Sequence, residues 1–97
     1  MLELYQAEWC PHSRKVRQRL TELGVDYVIR QVAAEPRGRR AMRKATGEVE
    51  IPVLVREDGS VLSGEEEILP WLDAAFDEGP DAAGHREKAH DKAGLPS

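Results

Sequence analysis

The sequence predicts an α/β domain with the element order β-α-β-α-β-β-α. In some short segments apolar and polar residues alternate, as in strands, and in the segments between them apolar residues recur every three to four positions, as on a helix face. An Asp58-Gly59 pair is typical of a tight hairpin. Two strands joined through a helix run parallel by a right-handed crossover, and the hairpin adds antiparallel strands. The predicted fold class is therefore α/β with a four-stranded mixed sheet and helices on both faces.

The first half of the chain predicts two strands and two helices. One helix face carries Val16, Leu20 and Leu23, and Gly24 is a typical residue just past a helix end. Gly38 falls in the first turn of the second helix, which we therefore expect to be short or irregular. The predicted elements are strands at 2–6 and 25–32 and helices at 11–23 and 33–47.

The second half predicts a hairpin followed by a helix, with strands at 51–55 and 60–62 and a helix at 65–76. Pro52 falls at the start of its strand, one of the few strand positions that tolerates a residue without an N–H. Pro70 falls inside the helical pattern, where it predicts a kink or a place in the first turns. We expect residues 1–77 to form one domain. We expect 78–97 to be a disordered tail, or at most a helix around Ala82–Ala93 without an apolar face.

Composition excludes several classes of protein. The 97 residues have a net charge of −4, which argues against general nucleic-acid binding. No apolar run is long enough to span a membrane, and we expect a cytoplasmic monomer. One cysteine cannot form an internal disulfide or a multi-thiolate metal site, so no metal site is expected. Residues 1–47 hold ten Lys and Arg against five Asp and Glu, an asymmetry typical of anion steering or of ordinary solvated faces.

That cysteine lies in the stretch Trp9-Cys10-Pro11-His12-Ser13, between the first strand and the first helix. Proline is favoured at the first position of a helix, which places Cys10 at or beside the N-cap. Free N–H groups and the helix dipole favour an anion there, and cysteines at helix N-termini are acidified nucleophiles. The alternative is a small buried side chain without reactivity.

The Cys-Pro-x-Ser motif after a first strand resembles the glutaredoxin branch of the thioredoxin fold in its single-cysteine form. The resemblance covers residues 1 to 76 and implies a thiol–disulfide oxidoreductase with a monothiol mechanism, in which Cys10, Pro11 and Ser13 are the catalytic positions. Ser13 stands where dithiol members have a second cysteine. Ile68-Leu69-Pro70-Trp71-Leu72 also resembles the Ile-x-x-Tyr-Leu pattern of glutathione S-transferase N-terminal domains.

The resemblance also implies a glutathione site. Ile51 and a cis Pro52 would bind the cysteinyl part, and Arg39 the glycine carboxylate. A lysine that glutaredoxins have three residues before the nucleophile is Ala7 here. His12 stabilises the thiolate if protonated, or simply faces solvent. The remaining expected glutathione-binding residues are Trp9, beside the thiol, and Gly64, Glu65, Glu66 and Glu67, at the γ-glutamyl end.

Three functional hypotheses follow from these resemblances. The first is deglutathionylation through Cys10, with glutathione or a similar low-molecular-weight thiol as co-substrate and glutathionylated or disulfide-bearing proteins as clients. The second is a non-catalytic module that binds glutathione or an iron–sulfur cluster, although cluster-binding members typically have Cys-Gly-Phe-Ser. The third is a domain of the glutathione S-transferase N-terminal type, expected here without the all-helical second domain that binds the electrophile.

Overall fold

Four strands and four α-helices form residues 1–93, the part of the chain that the computed structural model describes. In chain order they are β1 (Leu2–Gln6), α1 (Pro11–Leu23), β2 (Tyr27–Gln31), α2 (Arg40–Thr46), β3 (Val53–Val55), β4 (Val61–Ser63), α3 (Glu65–Ala75) and α4 (Ala82–Lys92). A short 3-10 turn, Pro36–Gly38, precedes α2.

The strands form one mixed sheet in the order β2-β1-β3-β4. β1 runs parallel to β2, with Leu2 opposite Tyr27, and antiparallel to β3, with Leu4 opposite Leu54. β3 and β4 form the hairpin that the Asp58-Gly59 pair predicts. The predicted α/β class and mixed sheet are confirmed.

The core lies between the sheet and the pair α1 and α3. Alternate residues of a strand face opposite sides of a sheet, so β1 directs Leu2 and Leu4 to this core and Tyr5 to the other side. There Tyr5 lines a groove with Met42, the buried residue of α2. The core cluster is Leu2, Leu4, Val16, Leu20, Leu23, Leu54, Ile68 and Leu72.

Four elements are shorter than their sequence patterns predict. β2 spans Tyr27–Gln31 within the predicted 25–32, and α3 ends at Ala75, one residue early. β3 begins at Val53, so Pro52 precedes the strand instead of opening it. α2 begins only at Arg40, because the chain first makes the 3-10 turn that contains Gly38. Pro70 lies in the interior of α3.

The segment after α3 contains a helix, α4, whose sequence has no apolar stripe. α4 buries only Ala82, at its first residue. It is held to α1 by polar contacts: Arg86 Nη1 lies 3.1 Å from Glu22 Oε1, and Gln18 Nε2 donates to the His85 carbonyl at 3.3 Å. The helical alternative for Ala82–Ala93 thus agrees with the structure better than a disordered tail, and the part of that expectation on 94–97 lies outside the described residues. No helix in residues 1–93 is both long and apolar enough to cross a membrane.

Candidate functional site

Cys10 is the N-cap residue of α1, as its sequence context predicts. Pro11 is the first helical residue, and the extended backbone of Cys10 (φ −78°, ψ 118°) turns the chain from the end of β1 into the helix. The Cys10 N–H donates to the Ala7 carbonyl at 3.1 Å, and its Sγ accepts from the Ser13 N–H at 3.5 Å. The residue is only 5% exposed.

Opposing effects act on the thiol. Burial raises the pKa of Cys10, but the Ser13 hydroxyl and N–H, the His12 N–H and the Arg17 cation bring that pKa below its ordinary value. The Ser13 hydroxyl is completely buried and has no hydrogen bond of normal geometry, although it lies close enough to favour the thiolate. Free N–H groups at a helix start stabilise an anion in the same way.

The loop before β3 and the start of α3 lie against each other beside this helix end. The Ile51–Pro52 peptide bond is cis, as the resemblance implies. The Pro52 carbonyl accepts from the Gly64 N–H at 2.9 Å, which ties the loop to the N-cap of α3. The Ser63 N–H donates to Glu67 Oε1 at 2.6 Å, which ties the end of β4 to the first turn of α3.

Gly64 has a backbone conformation that favours glycine. Its φ of +83° lies in the region that side-chain-bearing residues avoid. A Cβ added there would meet the carboxylate end of the flexible Glu66 side chain. The Glu66 carboxylate therefore lies directly over Gly64, at the mouth of the site.

An ion-pair cluster joins the starts of α1 and α3. His12 Nδ1 is hydrogen-bonded to Glu65 Oε1, and Lys15 Nζ lies 3.4 Å from Glu65 Oε2. The His12 hydrogen bond, followed by the effect of Lys15, lowers the pKa of Glu65. These contacts close one side of a depression of about 210 Å³, lined by His12, Glu50, Ile51, Pro52, Ser63, Gly64, Glu65 and Glu66.

Six of the twelve residues that the sequence singles out line this depression: His12, Ile51, Pro52, Gly64, Glu65 and Glu66. The other six are not in its lining. Cys10, Pro11, Ser13 and Glu67 lie at the starts of α1 and α3. Trp9 is exposed beside the thiol and does not line the depression. Arg39 is buried, and its guanidinium donates to the carbonyls of Ala33, Ala34 and Val49 at 2.8, 3.0 and 2.7 Å. Its nitrogens hold the segments around α2 together, and the binding of a ligand carboxylate by Arg39 stays a prediction.

Sequence reasoning missed Lys15 and Arg17. Both appear in the sequence only as part of the polar face of α1. Arg17 follows Cys10 by seven residues, close to two helical turns, and this spacing alone would have placed the two on one side of the helix. Among residues 1–93, no group of three or more His, Cys, Asp or Glu side chains is placed to hold a metal ion.

Solved structures similar to the chain are glutathione S-transferases. A family member from Pseudomonas fluorescens Pf-5, with bound glutathione, has a TM-score of 0.73 and 25% identity over 98% of this chain and 49% of its own. An enzyme from Rhodospirillum rubrum F11 has a TM-score of 0.68 and 30% identity over 93% and 42%. One from Methylobacillus flagellatus KT, with glutathione bound, has a TM-score of 0.64 and 28% identity over 75% and 36%.

The chain spans less than half the length of each of these three structures. A search of curated protein sequences found no match. The family model described as "Glutathione S-transferase, N-terminal domain" matches residues 4–80. This match supports the likeness seen in Ile68–Leu72 and leaves the glutaredoxin type a hypothesis. The chain belongs to the family of glutathione S-transferase N-terminal domains.

Proposed function

We propose that the domain binds glutathione and that Cys10 exchanges thiol and disulfide with glutathione mixed disulfides. The observation that carries this proposal is the Cys10 thiol at the N-cap of α1, where its pKa is lowered despite burial. The thiolate is the form of cysteine that attacks disulfides, and the same stabilisation makes it a good leaving group. The bound glutathione in two of the similar structures supports the choice of ligand.

The depression beside α1 offers chemistry that suits the ends of glutathione. The Glu66 carboxylate lies over Gly64 and would accept from the α-amine of the γ-glutamyl group. The neighbouring N-terminus of α3 has backbone N–H groups that favour a carboxylate. The backbone of Ile51, before Pro52, would pair with the cysteinyl part.

The proposed reaction has two exchanges. The Cys10 thiolate attacks the glutathione sulfur of a mixed disulfide, forming a Cys10–glutathione disulfide and releasing the client thiolate, which takes a proton from water. A second glutathione thiolate then attacks the glutathione sulfur on Cys10. This step releases oxidised glutathione and the Cys10 thiolate, so one glutathione thiol is consumed for each client thiol that is formed.

A second candidate is activation of glutathione for transfer to an electrophile, which membership of the transferase family favours. In that reaction the thiolate that attacks belongs to glutathione. The free backbone N–H groups at the N-terminus of α1 would stabilise it. Cys10 would then be a neighbour of the reacting sulfur and not the nucleophile.

Incubation with a glutathionylated peptide, followed by intact-mass measurement, tests the proposal. Because the chain has one cysteine, any glutathione disulfide on the protein must be at Cys10. We expect this adduct, the release of reduced peptide, and loss of both in Cys10→Ser. Conjugation of glutathione to an electrophile that persists in Cys10→Ser, with no adduct in the unmodified protein, would overturn the exchange mechanism in favour of the second candidate.

A further inference from the structure

Arg17 is fixed in place beneath the loop that leads to Cys10. Its side chain is only 16% exposed, and Nη1 donates to the side-chain oxygen of Gln6. The same nitrogen makes a long contact of 3.4 Å with the Ala7 carbonyl, and Nη2 lies 3.3 Å from Glu8 Oε2. The guanidinium therefore contacts three consecutive residues, from the last residue of β1 toward the thiol.

These contacts connect the thiol to the sheet. Gln6 is completely buried at the end of β1 and donates to Gln31 Oε1 of β2 at 3.0 Å. The Ala7 carbonyl that Arg17 contacts also accepts the N–H of Cys10 at 3.1 Å. A continuous set of hydrogen bonds thus runs from β2 through Gln6 and Arg17 to the backbone of Cys10.

The same guanidinium contributes charge. Burial has the largest effect on the pKa of Cys10 and raises it. The hydrogen bonds from Ser13 and His12 lower this pKa, and the charge of Arg17 lowers it further. The two charges also act on Tyr27 of β2. Burial raises the pKa of Tyr27, the charge of Arg17 lowers it and the charge of Glu8 raises it, so Arg17 and Glu8 have opposite effects on the same neighbouring group. The Glu8 side chain is 68% exposed and reaches back to Arg17 from the loop. On the α3 side, Glu65 is paired with Lys15 and hydrogen-bonded to His12.

We propose that Arg17 is a positioning residue for the Cys10 thiol, and that the exposed Glu8 carboxylate partly cancels its charge. Arg17 holds the Ala7–Cys10 loop and supplies a fixed cation near the sulfur. Glu8 limits the effect of that cation, because its carboxylate pairs with the guanidinium and opposes its charge. This inference deepens the proposed function by assigning control of the reactivity of its nucleophile, and it rests on that function only for its biological use.

The test is the rate of Cys10 alkylation by iodoacetamide as a function of pH, measured in the absence of glutathione. In Arg17→Met we expect roughly three- to tenfold slower alkylation at a pH below the thiol pKa, because less thiolate is present. Arg17→Lys keeps the charge and should recover part of the rate. Glu8→Gln should alkylate faster than the unmodified protein, a gain that a merely structural defect would not produce.

The matched control is the ion pair between Glu3 Oε1 and Arg30 Nε, which lie 2.8 Å apart on β1 and β2. Glu3→Gln and Arg30→Met should leave the pH profile of alkylation unchanged. An unchanged or slower rate in Glu8→Gln would overturn the proposal, as would a normal profile in folded Arg17→Met. If Arg17→Met does not fold, the alkylation rates of Glu8→Gln and Arg17→Lys test the proposal instead.

These rates involve no glutathione, so they separate this inference from the proposed function. Variants that respond as expected, in a protein that forms no adduct with a glutathionylated peptide, would support the role of Arg17 and contradict only the proposed function. Variants that do not respond, in a protein that forms the adduct, would contradict only the role of Arg17.

Discussion

The polar groups at the two ends of α1 differ in how many hydrogen bonds they make. At the N-terminal end the Cys10 sulfur accepts one long hydrogen bond, and the buried Ser13 hydroxyl has none of normal geometry. Toward the C-terminal end Arg19 makes three side-chain hydrogen bonds. It donates to Asp73 at 2.7 Å, to Glu22 at 2.8 Å and to Glu78 at 2.9 Å.

The saturated end extends through three helices. Arg86 of α4 donates to Glu22 and to Glu78, the latter at 2.7 Å. The hydrogen bonds from Arg86 and Arg19 lower the pKa of Glu78 to about 2, and the hydrogen bond to Asp73, followed by those to Glu78 and Glu22, raises the pKa of Arg19. Buried polar groups are normally satisfied, so an unsatisfied one requires an explanation. We infer that the saturated end stabilises the fold, whereas the N-terminal end keeps bonding capacity for chemistry.

The largest expected effect is at Cys10. Cys10→Ser should abolish alkylation completely, because no other thiol is present. Serine is a favoured N-cap residue, so the free energy of unfolding should change by less than about 1 kcal/mol. Intact mass after iodoacetamide treatment and chemical denaturation measure the two quantities. A variant that fails to fold would show that the thiol end also supports the structure, which contradicts the contrast between the ends of α1.

The next effect is on stability alone. Glu22 is only 9% exposed and accepts from Gln18, Arg19 and Arg86, so Glu22→Ala should lower the free energy of unfolding by about 1–3 kcal/mol. Glu3→Ala, which removes an exposed ion pair, should cost less than about 1 kcal/mol. Urea denaturation measures both. Alkylation of Cys10 should be unchanged in each variant, and a change in Glu22→Ala would mean that the two ends are coupled.

Local sequence patterns predicted the elements that apolar periodicity or a turn residue specifies. The strand β1, the helix α1 with Cys10 at its cap, and the hairpin at Asp58-Gly59 all follow from residues close together in the chain. The depression at the site was predictable only through resemblance, because its walls come from three distant segments. The cis bond at Pro52 is also a feature that the residue pair alone does not specify.

The contacts of Arg39 and the packing of α4 could not be predicted from local sequence patterns. The Arg39 guanidinium meets carbonyls on both sides of α2, and only the closed loop brings these together. The position of α4 depends on charges of α1 that lie more than sixty residues earlier in the chain, as in the contact between Arg86 and Glu22. The periodicity of apolar residues does not predict such contacts, because a helix without an apolar stripe has no sequence pattern that indicates which face packs against the domain.

Ser13→Ala sharpens the contrast with two effects of opposite sign. Removing a buried hydroxyl without a partner should leave the free energy of unfolding unchanged or raise it by up to about 1 kcal/mol. The same change removes a group that favours the thiolate, so alkylation should slow roughly threefold at a pH below the thiol pKa. The matched control is Ser60→Ala, whose hydroxyl accepts from Arg56 Nε at 2.7 Å. This variant should lose stability and keep the alkylation rate. A Ser13→Ala protein that is less stable and equally reactive would refute the assignment.

The smallest expected effect is the acid response of α4. Because the folded-state pKa of Glu78 is about 2 against an ordinary value of 4.5, its contribution to holding α4 is complete above about pH 4.5 and is lost as the pH falls toward 2. Amide NMR signals of Ala82–Lys92 should follow this titration, and Glu78→Gln should remove most of it. At neutral pH, Glu78→Gln should loosen α4 and leave Cys10 alkylation unchanged. Faster or slower alkylation in that variant would show that α4 reaches the thiol through α1, and the two ends could then no longer be treated as independent.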